Sequence, residues 1–100
     1  KTEKTMKASF CEKFWNEKDI AHTRELLEYH APEKDFEFAL FMKNDKGFID
    51  GYLYKEDGVF FIKDGTELEG DFCRVDRARG LKTLFSGSIE ELLDANWVVD

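Results

Sequence analysis

The stretch IDGYLYKEDGVFFIKDG, residues 49–65, contains the pair Asp-Gly three times at a spacing of seven residues. Asp57-Gly58 and Asp64-Gly65 fall where short aromatic and β-branched runs must reverse. Glycine supplies the positive φ of a tight hairpin turn, and aspartate bonds back to its own backbone. Asp50-Gly51 falls inside a run, where we expect a bulge or a close backbone approach. The spacing predicts the strand-and-turn repeat of an antiparallel sheet.

A metal-binding repeat is the alternative interpretation of these pairs. A calcium loop needs acidic residues at alternate positions before its glycine and a glutamate six residues after it, and the stretch has no such pattern. His22 and His30 are the only histidines. On a helix they would be about 12 Å apart, too far to chelate one ion locally. We expect no metal, and the absence of nucleotide-binding fingerprints leads us to expect no cofactor.

Alternating apolar residues extend the sheet on both sides of this stretch. Residues 35–43 alternate with a period of two and predict a first strand, and residues 48–55 and 59–63 predict the next two. Residues 66–75 predict a fourth strand. The segment LKTLF, residues 81–85, fits either a fifth strand or the start of a helix.

Helical patterns flank the predicted sheet. Residues 4–15 and 17–30 predict two helices separated by Asn16, an N-cap, and Pro32 ends the second. Ser88 and Glu91 form the sequence pattern of a capping box, which predicts a short helix through Asp94. The fold prediction is one α+β domain, residues 1–100. Its N-terminal helical hairpin packs on a four- to five-stranded antiparallel meander, with a short C-terminal helix.

Negative charge is concentrated in the middle of the chain. The 100 residues carry a net charge of −7, and residues 33–71 hold eleven acids against five lysines. This distribution disfavours nucleic-acid binding, which requires neutralisation of phosphates, and favours a basic protein partner. We predict a partner-binding acidic surface made of Glu56, Asp57, Asp64, Glu67, Glu69 and Asp71.

Three of the four arginines lie within six residues, beside a lysine. Arginine makes forked contacts with carboxylates and phosphates, so this loop is a candidate anion-binding site on a partner. The alternative is that the arginines neutralise the acidic middle of the same chain, and this is the interpretation we favour. The candidate anion-binding residues are Arg74, Arg77, Arg79 and Lys82.

The chain has two cysteines, Cys11 and Cys73. Small secreted domains usually carry several disulfides, so we expect two free buried thiols and a cytoplasmic protein. A single Cys11–Cys73 disulfide is the alternative. The sequence has neither a membrane-spanning run nor a signal-peptide pattern, and we expect no membrane partner.

Three hypotheses of function remain after these exclusions, and the third is nucleic-acid binding through the loop from Arg74 to Lys82. We favour a small, acidic, non-enzymatic binding or regulatory protein, inhibitor-like or immunity-like, which contacts a protein through an acidic, aromatic-rich sheet surface. No residue is assigned a catalytic role. The alternative is a small-molecule-binding domain or enzyme with a pocket between sheet and helices. Its candidate lining residues are Trp15, His30, Tyr52 and Tyr54.

The stretch FWNEKDIAHTRELLEYHAP, residues 14–32, resembles in outline the helical opening of NTF2-like domains. In that family an aromatic-Trp-Asn segment and a nearby aspartate precede a short helix and a curved sheet. The resemblance covers these residues alone. It implies a cone-shaped pocket and so belongs with the small-molecule alternative.

Overall fold

The computed structural model describes residues 15–44, 51–66 and 72–100. These residues form five strands and three helices in one α+β arrangement. In chain order the elements are α1 (Glu17–Tyr29), β1 (Leu40–Lys43), β2 (Gly51–Glu56), β3 (Val59–Asp64), α2 (Val75–Ala78), β4 (Thr83–Gly87), α3 (Ile89–Asp94) and β5 (Val98–Val99).

The centre of the fold is the hairpin of β2 and β3. Glu56 pairs with Val59, so Asp57 and Gly58 form a two-residue turn. Their φ angles are +52° and +81°, and both residues therefore lie in the left-handed region, as a type I′ turn requires. The predicted turn at Asp57-Gly58 is confirmed.

The five strands form one sheet in the order β4-β3-β2-β1-β5, and all neighbours are antiparallel. The first four strands are adjacent in chain order, so they form a meander. β5 returns to the far edge, where Val98 pairs with Lys43. Trp97 and Val98 are buried in the core. The antiparallel five-stranded sheet and the α+β class are as predicted.

One face of the sheet is covered by α1 and α3. The buried residues of this first core are Leu27, Met42, Leu53, Phe60, Ile62, Leu92, Leu93 and Trp97. Gly51 lies in β2 beneath this layer, and a Cβ there would be 2.4 Å from Ile62 Cγ2 and 3.2 Å from Trp97 Cζ3. The glycine inside the strand therefore allows a close approach, as predicted.

Both described helices of this face begin at the predicted caps. Asn16 Oδ1 accepts a hydrogen bond from the backbone N–H of Asp19, 2.9 Å away, and opens α1. Ser88 and Glu91 form the reciprocal hydrogen bonds of the capping box at α3. The predicted helix over residues 4–15 lies outside the described residues, so the helical hairpin stays a prediction. Within the described residues no helix is long and apolar enough to cross a membrane.

The opposite face of the sheet carries a second core. Tyr52 and Tyr54 are buried there with Cys73, Val75 and Ala78, and the ring of Tyr54 stacks on that of Phe61. The segment of residues 72–82 covers this face. We predicted a fourth strand ending at Val75, but Val75 begins α2, and residues 67–71 lie outside the described residues.

The first predicted strand is too long at its N-terminal end. β1 begins at Leu40, and the residues from 34 to 37 form a turn in which Glu37 N–H donates to the Lys34 carbonyl, 2.9 Å away. Glu37 Oε1 also accepts from the backbone N–H groups of Glu33 and Lys34. These local hydrogen bonds compete with a strand ladder. Of the two alternatives for residues 81–85, a strand or the start of a helix, the strand is correct, since β4 begins at Thr83.

Candidate functional site

Three exposed phenylalanines form the most prominent apolar feature of the described surface. Phe36, Phe38 and Phe72 are 69%, 55% and 77% exposed. The rings of Phe38 and Phe72 contact each other, with centroids 5.6 Å apart. Phe36 is two residues from Phe38, so their Cα atoms lie within about 7 Å of each other. We call these three residues the aromatic patch.

The backbone beneath the aromatic patch is held in place on both sides. Phe38 and Arg74 face each other in an isolated antiparallel bridge. The Ala39 N–H donates to the Cys73 carbonyl at 2.8 Å, and the Val75 N–H donates to the Glu37 carbonyl at 2.9 Å. Two chain segments that are distant in sequence therefore present their aromatic side chains from one ordered scaffold.

Two cations lie beside the aromatic patch. The guanidinium carbon of Arg74 is 5.9 Å from the centroid of Phe38, and Lys34 Nζ is 5.8 Å from that of Phe36. Both distances fit a cation–π contact. Neither cation forms an ion pair with a carboxylate in the described part of the chain.

The structure separates the candidate anion-binding residues into different roles. Arg79 forms ion pairs with Asp35 and Glu56, and its guanidinium carbon lies 5.7 Å from the Tyr54 ring. Hydrogen bonds to Asp35 and then to Glu56 raise the pKa of Arg79 above its ordinary value. For Arg79 the geometry fits internal neutralisation. The remaining three, Arg74, Arg77 and Lys82, are exposed.

The described acidic candidates lie at two ends of the β2–β3 hairpin. Glu56 and Asp57 are at the turn, whereas Asp64 ends β3, six residues long and therefore roughly 17–20 Å in length. Asp64 Oδ1 accepts from the Thr66 hydroxyl at 2.7 Å and from the Thr66 N–H at 2.9 Å. These bonds lower the pKa of Asp64. The other three, Glu67, Glu69 and Asp71, lie outside the described residues.

The candidate pocket residues lie in three different environments. Tyr52 and Tyr54 are buried in the second core, and burial raises the pKa of Tyr54. Trp15 Nε1 donates to the Asn96 carbonyl at 2.7 Å. His30 is exposed at the C-cap of α1. The structure brings two of the four, the tyrosines, into one cluster.

The described cysteine does not have the environment of a nucleophile. Cys73 is a free thiol, buried to 3% exposure, and burial raises its pKa. A raised pKa keeps the sulfur protonated and unreactive near neutral pH. No group of three or more potential metal ligands occurs among the described residues. Cys11 lies outside them.

Comparison with family models, with curated proteins and with solved structures finds no match. The outline resemblance to NTF2-like domains gains no support from these comparisons.

The sequence predicts an aromatic-rich contact surface on the sheet, but not the contact between Phe38 and Phe72 in the aromatic patch. The alternation of Phe36 and Phe38 with polar residues predicts that both lie in a strand, and both residues instead precede β1 and are exposed. The signal that was available is the run of turn-forming and charged residues from 32 to 37, PEKDFE. The burial of Lys63 was also not predicted. This residue is 7% exposed, and its Nζ donates to Thr83 Oγ1 at 2.7 Å and to the Leu81 carbonyl at 3.3 Å.

Proposed function

We propose that this protein is a non-enzymatic protein-binding domain of regulatory or inhibitory type, and that the aromatic patch is its contact surface. The observation that carries the proposal is the contact between the exposed rings of Phe38 and Phe72. Large contiguous apolar surface on a soluble domain marks interaction sites, whereas single exposed apolar residues are ordinary.

The size of the aromatic patch fits an anchor within a larger interface. An aromatic side chain offers 150–250 Å² of surface, so three that are more than half exposed present about 300–500 Å². This is comparable with the largest apolar patch on a typical monomer, which is often functional. A stable interface covers about 800 Å² per partner. Polar residues around the aromatic patch would therefore complete the contact.

The scaffold beneath the aromatic patch supports the same proposal. Phe38 and Phe72 are presented by segments that two backbone hydrogen bonds join, between Ala39 and Cys73 and between Val75 and Glu37. A contact surface that is ordered before binding loses less conformational entropy when the partner docks. Aromatic anchors also dominate the binding energy of typical interfaces.

The second candidate contact surface is acidic, and it would bind a basic partner. Asp57 is exposed at the hairpin turn, and Glu56 beside it is paired with Arg79. A basic partner steered by these charges would associate more slowly as the salt concentration rises. Charge reversal of Asp57 would then slow association more than it speeds dissociation.

The test is affinity capture from the native host with matched variants. Phe38→Ala combined with Phe72→Ala should lose the captured partner, because both anchors are removed. Tyr29→Ala is the control, since Tyr29 is 73% exposed but lies on α1, outside the aromatic patch. Both variants should unfold near the wild-type temperature, since exposed rings contribute little to the core. Equal capture by the wild type and by the double variant would contradict the proposal.

A further inference from the structure

The two cations beside the aromatic patch indicate what chemistry its partner carries. Arg74 and Lys34 lie over the rings of Phe38 and Phe36, and neither forms an ion pair in the described ranges, although the charge of Lys34 also acts on Glu37 and lowers its pKa. Arg79, by contrast, forms ion pairs with both Asp35 and Glu56. The guanidinium of Arg74 therefore remains available to an incoming group, and Lys34 adds a second positive charge at the aromatic patch.

Two carboxylates of the adjoining turn, those of Asp35 and Glu37, are already engaged. Asp35 is bound to Arg79. Glu37 Oε1 accepts from the Lys34 N–H at 2.9 Å and from the Glu33 N–H at 3.0 Å, which lowers the pKa of Glu37. A carboxylate held in this way has fewer lone pairs available to a basic partner. Arg74 therefore presents a positive charge beside Phe38 that no ion pair of the described residues neutralises, although the whole chain is acidic.

We infer that the aromatic patch binds an acidic, apolar segment of a partner protein, in which carboxylates flank an aromatic or branched aliphatic side chain. This inference rests on the proposed function and specifies its partner. The apolar side chain packs against the rings of Phe38 and Phe72. The guanidinium of Arg74 donates a forked pair of hydrogen bonds to a carboxylate, a geometry that lysine does not reproduce.

The overall charge of −7 does not prevent this contact. At physiological ionic strength the Debye length is about 8 Å, so repulsion from distant carboxylates is largely screened. An ion pair between Arg74 and a carboxylate of the partner acts at contact distance, where screening by salt is weaker. Binding of an acidic segment should therefore weaken little, or even strengthen, when salt is raised from low to physiological concentration. A basic partner steered by the acidic residues would show the opposite dependence.

The probes are two synthetic peptides of equal length with the same leucine and phenylalanine residues, one with glutamates and one with lysines at the remaining positions. Titration of the ¹⁵N-labelled full chain, followed by amide chemical shifts, gives the affinity and the location of binding. The glutamate peptide should bind and shift the amides of residues 36–39 and 72–75. The lysine peptide should bind at least about tenfold more weakly, the loss expected when a central charge contact is reversed.

Charge-reversal variants test whether the two cations are responsible. Lys34→Glu combined with Arg74→Glu should weaken the glutamate peptide about tenfold or more. Arg74→Lys should cause a smaller loss, because it keeps the charge and removes the fork. Lys18→Glu is the matched control, since Lys18 is exposed on α1, and it should leave the affinity unchanged. All these side chains are exposed, and the amide spectrum of each variant reports whether it is folded.

Three results would overturn the inference: tighter binding of the lysine peptide, shifts confined to other parts of the chain, or no binding of either peptide. Each leaves the proposed function intact if loss of Phe38 and Phe72 still abolishes partner capture. If that double variant captures its partner normally, the proposed function itself fails, whichever peptide binds.

Discussion

The backbone N–H of Val99 donates a hydrogen bond of 3.0 Å to Oγ1 of Thr23, which is fully buried on α1. This contact joins the last strand to the first described helix. β5 has two residues, and it pairs with β1 through Val98 and Val99. Such a short edge strand has few ladder hydrogen bonds, so we infer that the hydroxyl of Thr23 supplies a substantial part of its attachment.

Replacement of Thr23 by valine tests this attachment. Valine matches the shape of threonine but cannot accept the hydrogen bond, so the Val99 N–H is left unsatisfied, at a cost of about 1–3 kcal/mol in the free energy of unfolding. Thr23→Ser keeps the hydroxyl and should recover part of the loss. Urea unfolding measures both variants. Equal stability of the valine variant and the wild type would show that β5 is held by its ladder and core contacts alone.

The three Asp-Gly pairs require glycine for different physical reasons. Gly58 has φ +81°, and a Cβ there would meet nothing within 4 Å. At Gly51 and Gly65 the reason is space, since an added Cβ would lie 2.4 Å from Ile62 and 2.5 Å from the Tyr52 ring. We had attributed Gly65 to a positive φ, but its φ lies outside the left-handed region. Sequence spacing locates a turn and does not reveal what lies over it.

Alanine at the three positions should therefore give different results. Gly51→Ala and Gly65→Ala overpack a buried site and should lower the free energy of unfolding by about 1–3 kcal/mol. Gly58→Ala strains one exposed turn residue and should cost about 1–2 kcal/mol. Asparagine at position 58 tolerates the left-handed region and should recover most of that loss, but it should not rescue position 51. Thermal unfolding distinguishes the two patterns, and rescue at position 51 would contradict the steric explanation.

Long-range contacts account for what sequence analysis did not predict. The hairpin of β2 and β3, the N-cap at Asn16 and the capping box at Ser88 depend on residues within a few positions of each other, and all were predicted. By contrast, β5 pairs with β1 from the other end of the chain, and α2 replaces the end of a predicted strand. The aromatic patch is of this second kind, because it depends on contact between segments 34 residues apart, at Phe38 and Phe72.

The turn that precedes Phe38 should depend on pH. Its carboxylate, Glu37, has a lowered pKa because it accepts N–H groups from Lys34 and then from Glu33. A group whose folded pKa is depressed contributes stability above its unfolded pKa, about 4.3 for glutamate, and loses that contribution as the pH falls through the folded value. The free energy of unfolding should therefore fall less steeply with acid in Glu37→Gln than in the wild type.

The measurement is urea unfolding at several pH values between about 5 and 2. Glutamine keeps an acceptor oxygen for the turn, so the variant should remain folded at neutral pH. Amide shifts of residues 33–38 give a second readout. Identical pH profiles for the two proteins would show that the carboxylate of Glu37 does not stabilise the turn.

The last prediction concerns the hydrogen bond between Lys63 and Thr83. Removing the charged side chain of Lys63 should lower the free energy of unfolding less than removing the hydroxyl of Thr83. The Lys63 residue is buried, with 7% exposure. Its ammonium group donates to Thr83 Oγ1 and to the Leu81 carbonyl, and it pairs with no carboxylate among the described residues. Burial of a charge without an opposite charge is unfavourable. Replacement of the whole charged side chain by an apolar one of similar length removes that penalty together with the hydrogen bonds. Lys63→Met should therefore change the free energy of unfolding by less than about 1 kcal/mol, or raise it.

Thr83→Val should cost more, although it deletes a single hydroxyl. It keeps the buried ammonium and removes the acceptor at 2.7 Å, which leaves a charged donor less satisfied at a cost of about 1–3 kcal/mol. The double variant should resemble Lys63→Met, because no ammonium then remains to be satisfied. A double-mutant cycle in urea unfolding measures this coupling. If Lys63→Met proves the more damaging single change, the ammonium stabilises the connection between β3 and β4 by more than its desolvation costs.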